Sequence, residues 1–534
     1  MYPALHAQDA PGRVAVRVGD SHGVTYDELN TRSIQLAREL RSRGVEVGDC
    51  IALFSENHER YFEVYWAAAR SGFYVTAINR NSTAEEAQYI IDDSGSRVVI
   101  CSHQLRGAVA PLLPLLHESV RVLMFDGTIE GAAAYETQVS RHSCLPLDDE
   151  PRGQLMLYSS GTTGRPKGIR RALTGLRVDD PAANRNSDLI RRITSIDRDS
   201  IYLVPAPLYH GAAFNWSIAV QEIGGTVHVL PKWDAEEFLA TIQRHRITHT
   251  QVVPTMMVRL LKLPAEVRAR YDLSSLTSVI HSAAPCPVEI KQAMIDWLGP
   301  IVDEYYTGTE GNGVTFISAA EWLERPGSVG RAVLGTIHIC DDDGDELPAG
   351  EVGTVYFERD GVVFDYHNDQ AKTMDALHPA HPHWSTIGDM GRVDADGFLF
   401  LTDRKAFMII SGGVNIYPAE VEGRMITHPA VADVAVFGLP DPDMGEYVHA
   451  VVQPAGGVDP TPQLASDLIA FARDGLSHYK APRVVDFRAE LPRLESGKLR
   501  KDLLRAQYRT PRDTPGDSAG HPITASHSPS PQPI

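Results

Sequence analysis

Apolar residues along the chain switch repeatedly between a helical and a strand period. Leu29, Leu36, Ala37 and Leu40 share one helical face, behind a capping-box spacing at Thr25 and Glu28, and Gly44 stops the helix before the apolar run Ile51 to Phe54. Thr83 and Glu86 repeat the device ahead of a run at Val98 to Cys101. Strand texture returns at Tyr202 to Val204, Gln251 to Val253, Ser278 to His281 and Ile301 to Tyr305, each beside a helix-like stretch. This alternation predicts an α/β fold, with a large N-terminal domain of layered, largely parallel sheet.

Around 335 to 360 the texture changes to short strands and acidic turns such as DDDGDE, which predicts a β-rich subdomain. A smaller α+β unit is expected beyond it. The boundaries read as 1–403 for the large domain, 404–407 for a hinge, 408–509 for a small mobile domain and 510–534 for a tail. That tail, rich in Pro and Ser and poor in apolar residues, is expected to be disordered. The chain has no internal repeats.

At 534 residues the chain exceeds what one core holds, so more than one domain is expected. A net charge of -19 argues against general nucleic-acid or anionic-membrane binding. The five cysteines, at 50, 101, 144, 286 and 340, have neither metal-ligand spacing nor a disulfide pattern, which fits a reducing cytoplasm. No signal-peptide pattern opens the sequence, and no apolar run reaches membrane-spanning length.

Residues 158–168 read YSSGTTGRPKG, the pattern of a phosphate cradle. Gly161, Gly164 and Gly168 let the backbone bend so that successive N–H groups face an anion; Ser159, Ser160, Thr162 and Thr163 add hydroxyl donors, and Lys167 adds charge. The P-loop of kinases and ATPases needs G-x-x-x-x-G-K-[ST]. Here Arg165 and Pro166 follow Gly164, and Gly168 follows Lys167, so a P-loop phosphotransferase is disfavoured. A plain surface turn would need neither so many donors nor a lysine directly after the apolar run Leu155 to Leu157.

Further segments recur in order: PLYHGAAF at 207–214, HSAAPCP at 281–287, EYYTGTE at 304–310, TIGDMGRVDADGFLFLTDRK at 386–405, MIISGGVNIYPAEVE at 408–422 and PRLESGKLRK at 492–501. With the 158–168 loop they resemble the AMP-forming, adenylating superfamily of acyl-CoA synthetases, carrier-domain adenylation domains and luciferases, over roughly residues 20–508. In motif the chain is most similar to bacterial ligases of fatty and bile-acid-like carboxylates.

The resemblance implies roles residue by residue. Glu310 would hold the magnesium of ATP, a hard cation that takes oxygen ligands. Thr309 would contact the α-phosphate, Tyr306 would offer a flat face to the adenine, and Ala283, Ala284 and Pro285 would let nucleotide and acyl group approach closely. Asp389 would accept both ribose hydroxyls, with Arg404 adding a donor from the far side and opening a hinge that includes Lys405 and Ala406. Lys498 would be the catalytic lysine on the small domain, acting with Thr162 and Lys167 on the charge that builds during displacement. His210 would gate the acyl pocket, and Gly412 and Gly413 would line a tunnel for the CoA thiol.

Two departures stand out. Ala406 and Phe407 occupy positions where many relatives carry charged residues, which bears on domain switching. Amino-acid activators usually read F-D-x-S after the histidine motif, whereas this chain reads FNWS, and Asn215 cannot pair with an ammonium as a carboxylate would. The expectation is therefore an ATP-dependent carboxylate–CoA ligase for an apolar fatty or alicyclic acid, with ATP, Mg2+ and CoA as its small-molecule requirements. An acyl or peptidyl carrier protein is the alternative acceptor. The alternative outside catalysis is a nucleotide- or acyl-CoA-binding protein, against which Lys498 and Glu310 argue.

Overall fold

The structure, a computed structural model, describes residues 2–159, 166–183, 185–404, 407–493 and 499–509. The expected hinge residues Lys405 and Ala406 and the 510–534 tail lie outside the described residues.

Both anticipated capping boxes form. Thr25 caps the helix Tyr26–Ser42 and Thr83 caps Ala84–Ser94, each closed by the glutamate three residues on. The first helix leads through Gly44, at φ +80°, into the strand Cys50–Phe54. That strand is buried along its whole length, as a parallel strand covered on both faces must be. It lies inside a six-stranded sheet in the order Ala133–Ala134, Arg121–Phe125, Ser96–Ser102, Cys50–Phe54, Tyr74–Ile78, Gln154–Leu155, with every pairing parallel.

A nine-stranded sheet carries the other runs. Its parallel centre comprises Val302–Tyr306, Ser278–His281, His249–Val252, Ile201–Val204 and Thr226–Val229. Three strands thus sit slightly off their sequence-based ranges: Val302–Tyr306 starts and ends one residue later, His249–Val252 starts two residues and ends one residue earlier, and Ile201–Val204 starts one residue earlier, because pairing to neighbours sets the ends. Antiparallel Val314–Ile317 and Arg331–Leu334 finish one edge. A continuous apolar core joins faces of the two sheets through the helices Tyr26–Ser42, Arg60–Ala69 and Gly211–Ile223. Trp66 donates its indole N–H to Gln221 Oε1 at 2.7 Å across the last two of these helices.

The β-rich part is larger than 335–360. Antiparallel Thr336–Cys340, Gly353–Glu358, Asp389–Val393 and Leu399–Arg404, with Trp384–Ser385 alongside, form a five-stranded sheet. A further five-stranded sheet, Val414–Ile416, Ile409–Ser411, Gly445–Pro454, Val431–Asp441 and Val484–Phe487, belongs to the small C-terminal domain and has its own core. The two domains touch at named points. Lys262 donates its ammonium to the Val431 carbonyl, and Asp403 Oδ2 accepts the backbone N–H of Ala419 at 2.9 Å, at the start of the helix Pro418–Ile426. Among the described residues no helix is long and apolar enough to cross a membrane.

Candidate functional site

An open cleft of about 3130 Å³ runs past the ends of the nine-stranded sheet, the strand Lys167–Arg170 and the small domain. Most sequence-singled segments reach it. Lys167, His210, Ala283, Thr309, Glu310 and Arg404 all line it.

The phosphate-loop residues 160–165, with Thr162 and Thr163 among them, lie outside the described residues, as does the side chain of Ser159. What flanks them is clear. Leu157–Ser159 and Lys167–Arg170 pair antiparallel, Gly168 opposite Tyr158. A Cβ at Gly168 would stand 2.7 Å from Met156 Cε and 3.0 Å from Tyr158 Cζ, so this glycine serves close packing within a strand and not a bend. Lys167 ends in an ion pair, its Nζ 2.7 Å from Asp369 Oδ2. Its charge already has a partner.

Glu310 lines the cleft yet is largely buried. It is 9% exposed, and its Oε1 accepts the Tyr366 hydroxyl at 2.8 Å. Arg171 comes in from the strand that follows the phosphate loop and donates Nη2 to the Thr309 carbonyl at 3.0 Å. Burial lowers the Arg171 pKa, and the nearby Glu310 charge opposes that shift. Gly311, at φ +66°, is required twice over: the backbone is left-handed, and a Cβ there would stand 2.3 Å from Arg171 Nη2. No cluster of three or more His, Cys, Asp or Glu side chains suited to a metal occurs among the described residues. One buried carboxylate at a cleft that Lys167 also lines instead suits Mg2+, which keeps its waters and takes its remaining ligands from phosphate oxygens.

Asp389 and Arg404 face each other in register across the hairpin Asp389–Val393 and Leu399–Arg404. Arg404 Nε donates to Asp389 Oδ1 at 3.0 Å, and the Tyr306 hydroxyl donates to Oδ2 at 2.6 Å. Tyr306 is therefore a carboxylate-holding residue in this structure. Its ring packs 6.2 Å from Phe357. Burial raises its hydroxyl pKa well above the usual value, and the Asp389 charge adds to the shift.

The 282–287 loop is held from below by buried charge. His281 ends one strand, Glu304 stands opposite it in register on the next, and Lys291 reaches back from the helix Val288–Leu298 to place Nζ 2.8 Å from Glu304 Oε2. His281 Nε2 is 3.3 Å from the same oxygen. Burial, reinforced by the Lys291 charge, holds the His281 pKa well below its ordinary value. Within the loop Ala283 has φ +75°, a strained conformation for a residue with a Cβ. Ala283 and Ser282 line the cleft, whereas Ala284 and Pro285 do not.

His210 precedes the helix Gly211–Ile223, its ring 4.2 Å from Tyr209. Asn215 donates Nδ2 to the Gly211 carbonyl at 2.8 Å, which commits its amide to the helix backbone. In the small domain, Arg493 and Arg500 line the cleft, and Arg493 bridges to Leu499 on either side of residues 494–498. Lys498 itself lies outside the described residues. Gly412 and Gly413 form the exposed turn of a hairpin at φ +58° and +78° and do not line the cleft in this arrangement of the domains. Sequence reasoning missed Arg171, Tyr366, Lys291 and Glu304, all of which act through contacts that no local motif announces.

The AMP-binding enzyme family matches residues 4–367, and its C-terminal domain matches residues 420–498. A feruloyl-CoA synthase of Amycolatopsis sp is 32% identical over 519 residues, covering 95% of this chain and 98% of the relative. A fatty acid–acyl-carrier-protein ligase of Streptomyces coeruleorubidus is 30% identical and covers 95% of both chains. The crystal structure of ATP-bound MatB from Rhodopseudomonas palustris superposes with a TM-score of 0.79 at 28% identity, covering 95% of this chain and 99% of that one. Long matches over both domains, together with the carboxylate-and-cation cleft between them, place the chain without ambiguity: it belongs to the AMP-binding enzyme family.

Proposed function

We propose that the protein is an ATP-dependent carboxylate–CoA ligase working in two half-reactions. The carrying observation is the pairing of the buried Asp389 with Tyr306 and with Arg404, which lines the cleft together with Glu310 and Lys167. Asp389 accepts ribose hydroxyls, and Arg404 and Tyr306 fix its orientation. The acid's carboxylate attacks the α-phosphate of ATP in line, pyrophosphate leaves, and an acyl adenylate remains. Lys167, Lys498 and the N–H groups and hydroxyls of the phosphate loop oppose the charge that builds up. Glu310 would hold Mg2+, which when bound screens the phosphate oxygens.

In the second half-reaction the small domain, 408–509, turns about 404–407. That motion withdraws Lys498 and brings the hairpin of Gly412 and Gly413 to the cleft, where the CoA thiol attacks the acyl carbonyl and AMP leaves. Gly412 and Gly413 standing away from the cleft, with Arg493 and Arg500 at it, agrees with a structure arranged for the first half-reaction. The acid is apolar, fatty or alicyclic, without an α-amino group, because Asn215 stands where amino-acid activators carry an aspartate and has no charge to pair with an ammonium.

A carrier-protein phosphopantetheine presents the same thiol arm, and the carrier-protein ligase among the relatives favours it as the second reading. Pyrophosphate release across a panel of carboxylates, with and without CoA, tests the proposal. Acyl-CoA formation supports it; adenylate that accumulates with CoA and discharges only onto a carrier protein transfers the case to the second reading.

A further inference from the structure

Behind the small residues Gly211 and Ala212 the cleft meets two large rings. Trp216 of the helix Gly211–Ile223 and Tyr305 of the strand Val302–Tyr306 both line it, yet they are only 5% and 6% exposed, so each presents a small part of its ring to the opening. The rings lie 5.4 Å apart, and Trp216 donates its indole N–H to the Tyr305 hydroxyl oxygen at 3.1 Å. The same oxygen accepts Gln251 Nε2 at 2.5 Å, and Gln251 Oε1 accepts the Tyr202 hydroxyl at 3.4 Å. Tyr202 closes the circuit by stacking on Trp216, centroids 6.2 Å apart and planes 18° from parallel.

A methionine or leucine at such a place rotates aside at little cost. These rings cannot. All four side chains are buried, and moving the indole strips a donor from Tyr305 and stacking from Tyr202 at once, in surroundings where lost hydrogen bonds are not replaced by water. The obstruction is therefore built into the folded core.

We propose that the Trp216–Tyr305 pair is the end wall of the acyl pocket and that Trp216 is its size-determining residue. The wall admits compact acids, with an aryl, alicyclic or short-chain tail, and turns away long flexible chains. The inference rests on the ligase reading and revises its acid class, dropping long-chain fatty acids and adding aryl acids. A flat aryl tail fits the wall in chemistry as well as size, because its edge or face meets the indole in the arrangements aromatic pairs prefer.

The test compares kcat/KM for acyl-CoA formation with an aryl-propenoic acid, hexanoate, a cyclohexane carboxylate and palmitate. It uses the full-length wild type, Trp216→Ala and the milder Trp216→Phe, with melting temperatures recorded for each. The wild type is expected to favour compact acids over palmitate by tenfold or more, and Trp216→Ala to shift that ratio toward palmitate by roughly tenfold. Trp216→Phe, which keeps an aromatic packing surface, moves the ratio the same way by less and carries the test if the alanine variant does not fold. The KM for ATP stays put, since the wall faces only the acid. Palmitate used as well as the compact acids by the wild type, or a folded variant with an unchanged ratio, overturns the wall. No pyrophosphate from any acid overturns the ligase reading itself.

Discussion

Asp389 and Arg404 are the last register pair of their hairpin, and their side chains close the same ring that their backbones open, with Arg404 Nε 3.0 Å from Asp389 Oδ1. Arg404 is also the first residue of the expected 404–407 hinge. A residue that orients the proposed ribose carboxylate is thus anchored where the small domain begins.

Asp389→Asn keeps the shape of the side chain and halves its accepting capacity toward sugar hydroxyls. The expected result is a rise of roughly tenfold or more in the KM for ATP, the scale of one or two charged hydrogen bonds. Pyrophosphate release measured with ATP and with 2′-deoxy-ATP checks it. The wild type should discriminate between the two and the variant should do so much less; equal discrimination in both removes Asp389 from the ribose.

Glu310→Gln retains a partner for the Tyr366 hydroxyl while removing the charge that faces Arg171. Activity should fall, and the Mg2+ concentration for half-maximal rate should rise by roughly tenfold to a hundredfold, the scale of losing a partner at a metal site. Because Glu310 is buried, a modest drop in melting temperature is expected as well. Tyr366→Phe is the control: it removes the hydrogen bond that Glu310→Gln keeps, retains the Glu310 charge, and should leave the Mg2+ requirement alone. A shifted requirement there would assign the effect to packing.

Lys498→Ala should abolish adenylate formation by about a hundredfold to a thousandfold and spare thioester formation from supplied acyl adenylate. Separate assays of the two half-reactions read this directly. Equal losses in both would end the domain-alternation account.

The buried Lys291–Glu304 pair makes a prediction about stability. Lys291→Met strands a buried carboxylate and should cost about 3 to 5 kcal/mol, whereas adding Glu304→Gln should recover most of it, because breaking such a pair is far worse than removing it. Chemical denaturation of wild type, single and double variants decides. A double variant no more stable than the single one would mean that the pair is not what holds the helix Val288–Leu298 to the sheet.

Local chemistry made much of this legible. Capping boxes at Thr25 and Thr83, the parallel strands and the order of the nucleotide motifs need only neighbouring residues to be recognised. What was missed depends on distance along the chain. Tyr366 reaches Glu310 because Asp365–Tyr366 pairs with the strand after the phosphate loop, and Lys291 finds Glu304 only once helix and sheet have packed. The Tyr306 hydroxyl bond to Asp389 is hidden for the same reason: an aromatic residue at a strand end shows its type in the sequence, but not which neighbour its hydroxyl meets.

The ion pair between Lys167 and Asp369 has a thermodynamic consequence. Asp369 also caps the helix Gln370–Asp375 by accepting the Lys372 N–H at 3.0 Å, so the pair is set in a rigid frame. A long lysine ordinarily surrenders its rotamer freedom when a ligand arrives. Here that freedom is lost on folding, and an incoming polyphosphate competes for an ammonium already in place. On the proposed ligase reading, binding at Lys167 would be an exchange of anions, with little net change in paired charge, and its contribution to ATP affinity should be correspondingly insensitive to ionic strength.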